Sequence, residues 1–160
     1  MTISKGDRIP EVTLVKATES GPEKVQTGDY FKGKKVALFS VPGAFTPTCS
    51  AKHVPSYLEN YGNLKGKGVD EIWCLSVNDA FVMGAWSRDQ KAGGKIRFMA
   101  DGSAEYSKKL GLTLDLTARG LGLRSNRYSM LVDDGVVKSL NVEAPGKFEV
   151  SDGATMAKQA

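Results

Sequence analysis

Along this chain the apolar positions come in short dense runs separated by Gly, Asp and Lys, and the period of each run predicts its element. Residues 35–40 (Lys-Val-Ala-Leu-Phe-Ser) are an almost unbroken apolar run, as in a strand covered on both faces of a sheet. Residues 12–16, 71–77 and 96–100 read as further strands. Between them the pattern becomes helical. One helix is predicted over 47–64, kinked or split at Pro55 and ended by Gly66 and Gly68. A second runs from Ala80 to Lys91, capped by Asn78 or Asp79 and closed by Gly93-Gly94. A short third helix follows Asp101-Gly102-Ser103 and ends near Leu110, with Gly111 as its stop. Residues 112–123, rich in Gly and Leu, read as a loop. Residues 128–132 and 136–142 are alternating strands joined by Asp133-Asp134-Gly135, a β-hairpin, and 152–159 form a terminal helix.

This order predicts an α/β fold: a mixed central sheet with helices on both faces and a C-terminal β-hairpin. The right-handed crossover rule makes 35–40 and 71–77 parallel neighbours. The length of 160 residues fits a single domain over 1–160. The formal net charge of +4 invites a nucleic-acid reading. The lysines are scattered, however, and no Arg/Lys run interleaves with aromatic residues, so that footprint is not met. No apolar run approaches the roughly 20 residues of a membrane span. Two cysteines are too few for a secreted disulfide scaffold, and a reducing, cytoplasmic home is expected.

Those two cysteines carry the chemistry. Cys49 follows the buried 35–40 run, with Thr46 suited to a helix N-cap and Pro47 to the first helical position. Cys49 is then the third helical residue, where free backbone N–H groups and the helix dipole favour the thiolate, the nucleophilic form of cysteine. Thr46 and Cys49 keep the spacing of a C-x-x-C pair with a hydroxyl in place of the first sulfur, which excludes a dithiol cycle at this turn. His53 lies four residues beyond Cys49; two neighbours on one helix suit a Cys–His hydrolase poorly, and a hydrogen-bonding histidine near the pocket mouth is expected. Gly120-Leu121-Gly122 follows no predicted strand and opens no helix, so it reads as a turn and not as a nucleotide loop.

Pro42-Gly43-Ala44-Phe45-Thr46-Pro47-Thr48-Cys49 resembles the P-x-x-x-T-x-x-C signature of peroxiredoxins. The following Ser50 and His53-Val54-Pro55, with the stretches 68–72, 74–83, 101–103 and 124–128, resemble the type II/type V (atypical two-cysteine, redoxin) branch. The resemblance implies a thioredoxin-like fold and a thiol-dependent peroxidase acting on hydrogen peroxide and alkyl hydroperoxides. It makes Cys49 the sulfur oxidised to a sulfenic acid, Thr46 the hydroxyl that orients the peroxide, Pro42 the shield and Arg127 the guanidinium that completes the site. Gly43, Phe45 and His53 are expected to line the pocket. No metal or cofactor is needed. A homodimer is the family-level expectation. Cys74, in mid-strand, reads as core packing, with a resolving thiol as the alternative the resemblance allows. No third cysteine lies near the C-terminus, so glutathione with glutaredoxin, or thioredoxin, is expected to reduce Cys49. The rival function is a peroxide sensor or redox relay that passes oxidation to a protein partner.

Overall fold

The computed structural model describes residues 2–160. The chain begins with strands β1 (Thr13–Thr18) and β2 (Gly21–Gln26), helix α1 (Thr27–Tyr30) and strand β3 (Lys35–Val41). A wide π-turn (Cys49–His53) leads into α2 (Val54–Glu59) and α3 (Tyr61–Gly66). Then come β4 (Glu71–Ser76), α4 (Ala80–Asp89), β5 (Arg97–Ala100) and α5 (Glu105–Leu110). Strand β6 (Thr113–Leu116), a 3₁₀ turn (Thr117–Arg119) and β7 (Gly122–Ser125) precede the hairpin of β8 (Tyr128–Asp133) and β9 (Val136–Val142), and α6 (Gly153–Gln159) closes the chain.

Seven strands form one sheet in the order β2-β1-β5-β4-β3-β8-β9. Strands β3, β4 and β5 are parallel, as the crossover rule requires, and the others join antiparallel. This is a thioredoxin-like α/β architecture. Alternation along β3 divides the core: Ala37, Phe39 and Val41 face one apolar layer, Val36 and Leu38 the other. The first layer lies under the π-turn, α2, α3, α4 and α6; the second is covered by Phe31 after α1 and by Tyr106 and Leu110 of α5. Helices therefore cover both faces, as predicted. The hairpin turn has Asp134 at φ 50° and Gly135 at φ 83°, the two left-handed positions of a type I′ turn.

Four local features differ from expectation. Strand β2 contains Gly21 and Pro22, which mask a strand signal, but an edge strand tolerates both. The four-residue α1 is too short to leave a period. Strands β6 and β7 pair into a separate ribbon inside the stretch expected to be a loop, because four-residue strands flanked by glycine carry too little alternation to read. The predicted 47–64 helix is divided at Asn60 and widened at 49–53, where Val54 N–H donates to Cys49 O, one residue beyond the α-helical partner. Pro55 explains the position of the wide turn. It has no N–H for the Ala51 carbonyl, and its ring crowds that carbonyl, so the ladder opens one turn before it.

Candidate active site

Strand β3 ends at Val41, and the next seven residues turn sharply before the helix that carries Cys49. Three bonds fix that loop. Ala44 N–H donates to Asn78 Oδ1 at 3.0 Å, Arg124 Nη1 donates to Pro42 O at 3.3 Å, and Thr46 Oγ1 donates to Gly43 O at 2.6 Å. Phe45, between them, takes a left-handed φ of 63°, a conformation that costs energy for a non-glycine residue. A Cβ at Gly43 would stand 3.0 Å from both Arg124 Nη1 and Thr46 Cγ2, a tight approach that would make those side chains shift by a few tenths of an ångström.

The Thr46 hydroxyl therefore does not cap the helix as expected. Its proton is committed to Gly43 O, which leaves its lone pairs to accept from an incoming O–H group. Cys49 is fully buried, and Arg127, just before β8, donates Nη2–H to its sulfur at 3.1 Å. The same guanidinium donates Nη1–H to His53 Nδ1 at 2.9 Å. A guanidinium has no acceptor, so Nδ1 must be the unprotonated nitrogen and Nε2–H must donate to Ser151 O, 2.9 Å away. Burial, and then the charge of Arg127, lower the His53 pKa to about 3, so the ring is neutral across the physiological range. His53 is not at the pocket mouth. It is fully buried behind Arg127, between the rings of Phe39 (4.6 Å between centroids) and Phe148 (4.9 Å).

Ser151 O in turn is held from a second side by the Tyr57 hydroxyl at 3.0 Å. The turn containing it is organised by Glu143, a buried carboxylate that accepts from Glu149 N, Val150 N, Ser151 N and Ser151 Oγ at 2.7–2.9 Å. These bonds hold the Glu143 carboxyl below its usual range against the opposing effect of burial. Glu143 N–H also donates to Arg127 O at 2.9 Å. A continuous chain thus runs from Glu143 through Ser151 and His53 to Arg127 and the Cys49 sulfur. Sequence reasoning missed Glu143, Ser151 and Arg124. Its one available signal was a lone acid in an otherwise apolar and small stretch, Val142-Glu143-Ala144.

Above this group opens a cleft of about 420 Å³. Its lining includes Pro42, Thr46 and Arg127, the half-buried Leu114, Leu116 and Leu121, and the exposed Arg119 and Lys147. Gly43 and Phe45, expected at the wall, stand outside it: Gly43 contributes its carbonyl to Thr46, and Phe45 is 51% exposed with its ring 6.4 Å from that of Trp86. Cys74 lies in β4 opposite Phe39 and Phe98, fully buried; both cysteines are free thiols. Burial, with the neighbouring Cys49, pushes the Cys74 thiol well up.

The arrangement holds one buried sulfur against a permanent cation, and that cation lines a cleft together with Pro42 and Thr46. A family model described as Redoxin matches residues 4–156. Peroxiredoxin-2B of Arabidopsis thaliana is 49% identical over 159 residues, covering 98% of this chain and 97% of that protein. Chloroplastic Peroxiredoxin-2E of the same plant is 47% identical over 161 residues, covering 98% of this chain and 69% of that one. Among solved structures, reduced Prx3 of Vibrio vulnificus in complex with H2O2 superposes with a TM-score of 0.94 at 50% identity, covering 98% of both chains.

Proposed function

From a chain that belongs to the Redoxin family, and is a type II peroxiredoxin with thiol-dependent peroxidase activity, we propose that Cys49 is the sulfur that meets the peroxide and that Arg127 and Thr46 hold the two oxygens. The supporting observation is the 3.1 Å contact to Cys49 Sγ from Nη2 of Arg127, which lines one cleft with Pro42 and Thr46. A positive charge there favours the thiolate and also the negative charge that develops on the departing oxygen.

The Cys49 thiolate attacks the terminal oxygen of R–O–O–H. An S–O bond forms and the O–O bond breaks. The remaining oxygen leaves as RO⁻ and takes a proton from solvent, giving water or an alcohol. The sulfur is oxidised by two electrons to the sulfenic acid, the reversible first step of cysteine oxidation. Thr46 accepts from the peroxide O–H, Arg127 donates to the peroxide oxygens, and the first-turn N–H of Cys49 is a further donor. Pro42 covers one side of the sulfur against water. Gly43, Phe45 and His53 act through the loop and through Arg127 and not as walls of the pocket.

The reductant is an external thiol, glutathione with glutaredoxin or thioredoxin. It displaces water from the sulfenic acid to form a mixed disulfide, and a second thiol releases reduced Cys49. An external thiol fits better than Cys74, whose burial and raised pKa leave it little thiolate at neutral pH. The proposed unit is one domain that pairs as a homodimer, for which the exposed rings of Phe45 and Phe81 (74% exposed) offer apolar area. The proposed compartment is the cytoplasm, where both thiols stay reduced. Among the described residues no helix is long and apolar enough to cross a membrane. Cys49→Ser is expected to abolish peroxide consumption in the presence of a recycling thiol system. Retained turnover would remove Cys49 from the role, and a single oxidation without turnover in the unaltered protein would favour the relay.

A further inference from the structure

The cleft is much larger than its first reactant. A peroxide group is two oxygen atoms, on the order of two waters at about 30 Å³ each, against a cleft of about 420 Å³. What lines the remaining space is uneven. Leu114 and Leu116 are two residues apart on β6 and so share a face of the ribbon. With Leu121 they contribute half-buried apolar surface to the lining of the cleft. At the rim stand Arg119, the last residue of the 3₁₀ turn, and Lys147, both exposed and without a salt bridge or side-chain hydrogen bond among the described residues. The carboxylate lining the cleft, Glu143, is held by four donors of the 149–151 turn and forms a salt bridge with neither cation.

Resting on the peroxidase reading above, we propose that this cleft selects organic hydroperoxides with an alkyl body and a carboxylate tail. The hydroperoxide reaches Arg127 and Cys49, the chain lies on Leu114, Leu116 and Leu121, and the carboxylate sits between Arg119 and Lys147. The alkyl body gains by leaving water against leucine. The tail gains from two unpaired cations. The carboxylates of a thiol tripeptide would satisfy the same cations, but a polar tripeptide gains nothing from a leucine wall, so the substrate is the better occupant.

The test is a single turnover of reduced protein with no reductant present, so that a thiol ligand cannot contribute. Oxidation rates are measured for a medium-chain hydroperoxy acid and for its methyl ester, both below micelle formation, each divided by the hydrogen peroxide rate of the same protein. The acid is expected to react about three- to tenfold faster than the ester, the scale of two exposed ion pairs, with the preference shrinking as salt is raised. The Arg119→Glu/Lys147→Glu double variant is expected to reverse the preference. Equal acid and ester rates beside rapid oxidation by hydrogen peroxide, or an acid preference that survives the double variant, would overturn the proposal alone. Failure of hydrogen peroxide itself to oxidise Cys49 would overturn the peroxidase reading and this proposal with it.

Discussion

His53 shows how much of the site depends on one protonation state. It accepts from Arg127 through Nδ1, and it can do so only while neutral. Its pKa is lowered to about 3 by burial and by Arg127, so below its ordinary value near 6.5 the unfolded chain takes up a proton that the folded chain refuses. Stability is therefore complete above pH 6.5 and is lost progressively as pH falls towards about 3. The slope approaches about 1.4 kcal/mol per pH unit. The chain has a single histidine, whose ordinary titration range covers the window from pH 6.5 to about 5, so that window is the one in which His53 is read. Urea unfolding across that window is expected to show the slope in the unaltered protein and a flat profile in His53→Gln. Equal slopes in the two would mean that the ring titrates normally and does not hold Arg127. Cys49 and Thr46 were legible from residue type and spacing, whereas Arg127, a lone arginine before a strand, was legible only through the family resemblance. Thr46 was nevertheless read as a helix cap. Nothing in T-P-T-C says that the hydroxyl turns back to Gly43 O, since that depends on the path of the loop.

At the level of elements, the π-turn and the segment after β9 decide the site. The wide turn puts Cys49 and His53 under one guanidinium, and a proline in the sequence marks where the helix must open. The 143–151 segment has no regular structure and no period, so its role was illegible; its order comes from one carboxylate gathering backbone donors. Glu143→Gln replaces one acceptor oxygen by a donor that faces those N–H groups. Loosening the Ser151 carbonyl should misplace His53 and Arg127, and the single-turnover rate with hydrogen peroxide is expected to fall about tenfold, the scale of a lost charge-assisted hydrogen bond. Glu143→Asp should recover part of it. A folded Glu143→Gln protein with an unchanged rate would show that Arg127 is held without this segment. The ribbon of β6 and β7 was hidden for a different reason. Its strands are too short and too glycine-flanked to alternate visibly, yet the ribbon carries the leucines of the cleft.

Across the whole molecule, the central strands were legible because strands buried on both faces must be apolar throughout, and the parallel order of β3 and β4 followed from chain handedness alone. The edges were less so: β2 contains residues that a central strand would forbid. Cys49 lies beyond the loop that leaves the end of β3 and Arg127 lies just before β8, adjacent strands whose register pairs Ser40 with Tyr128, so two residues 78 positions apart meet at one sheet end. Cys74, one strand over in β4, is fully buried in the core. The decisive measurement is the intact mass of the reduced protein after one equivalent of hydrogen peroxide, in competition with an excess of a simple thiol and quenched within the first turnover. The protein is predicted to win the competition and gain one oxygen, localised to Cys49. An unchanged mass with the peroxide consumed by the small thiol would contradict the account, because a sulfur held under Arg127 would then have no special reactivity.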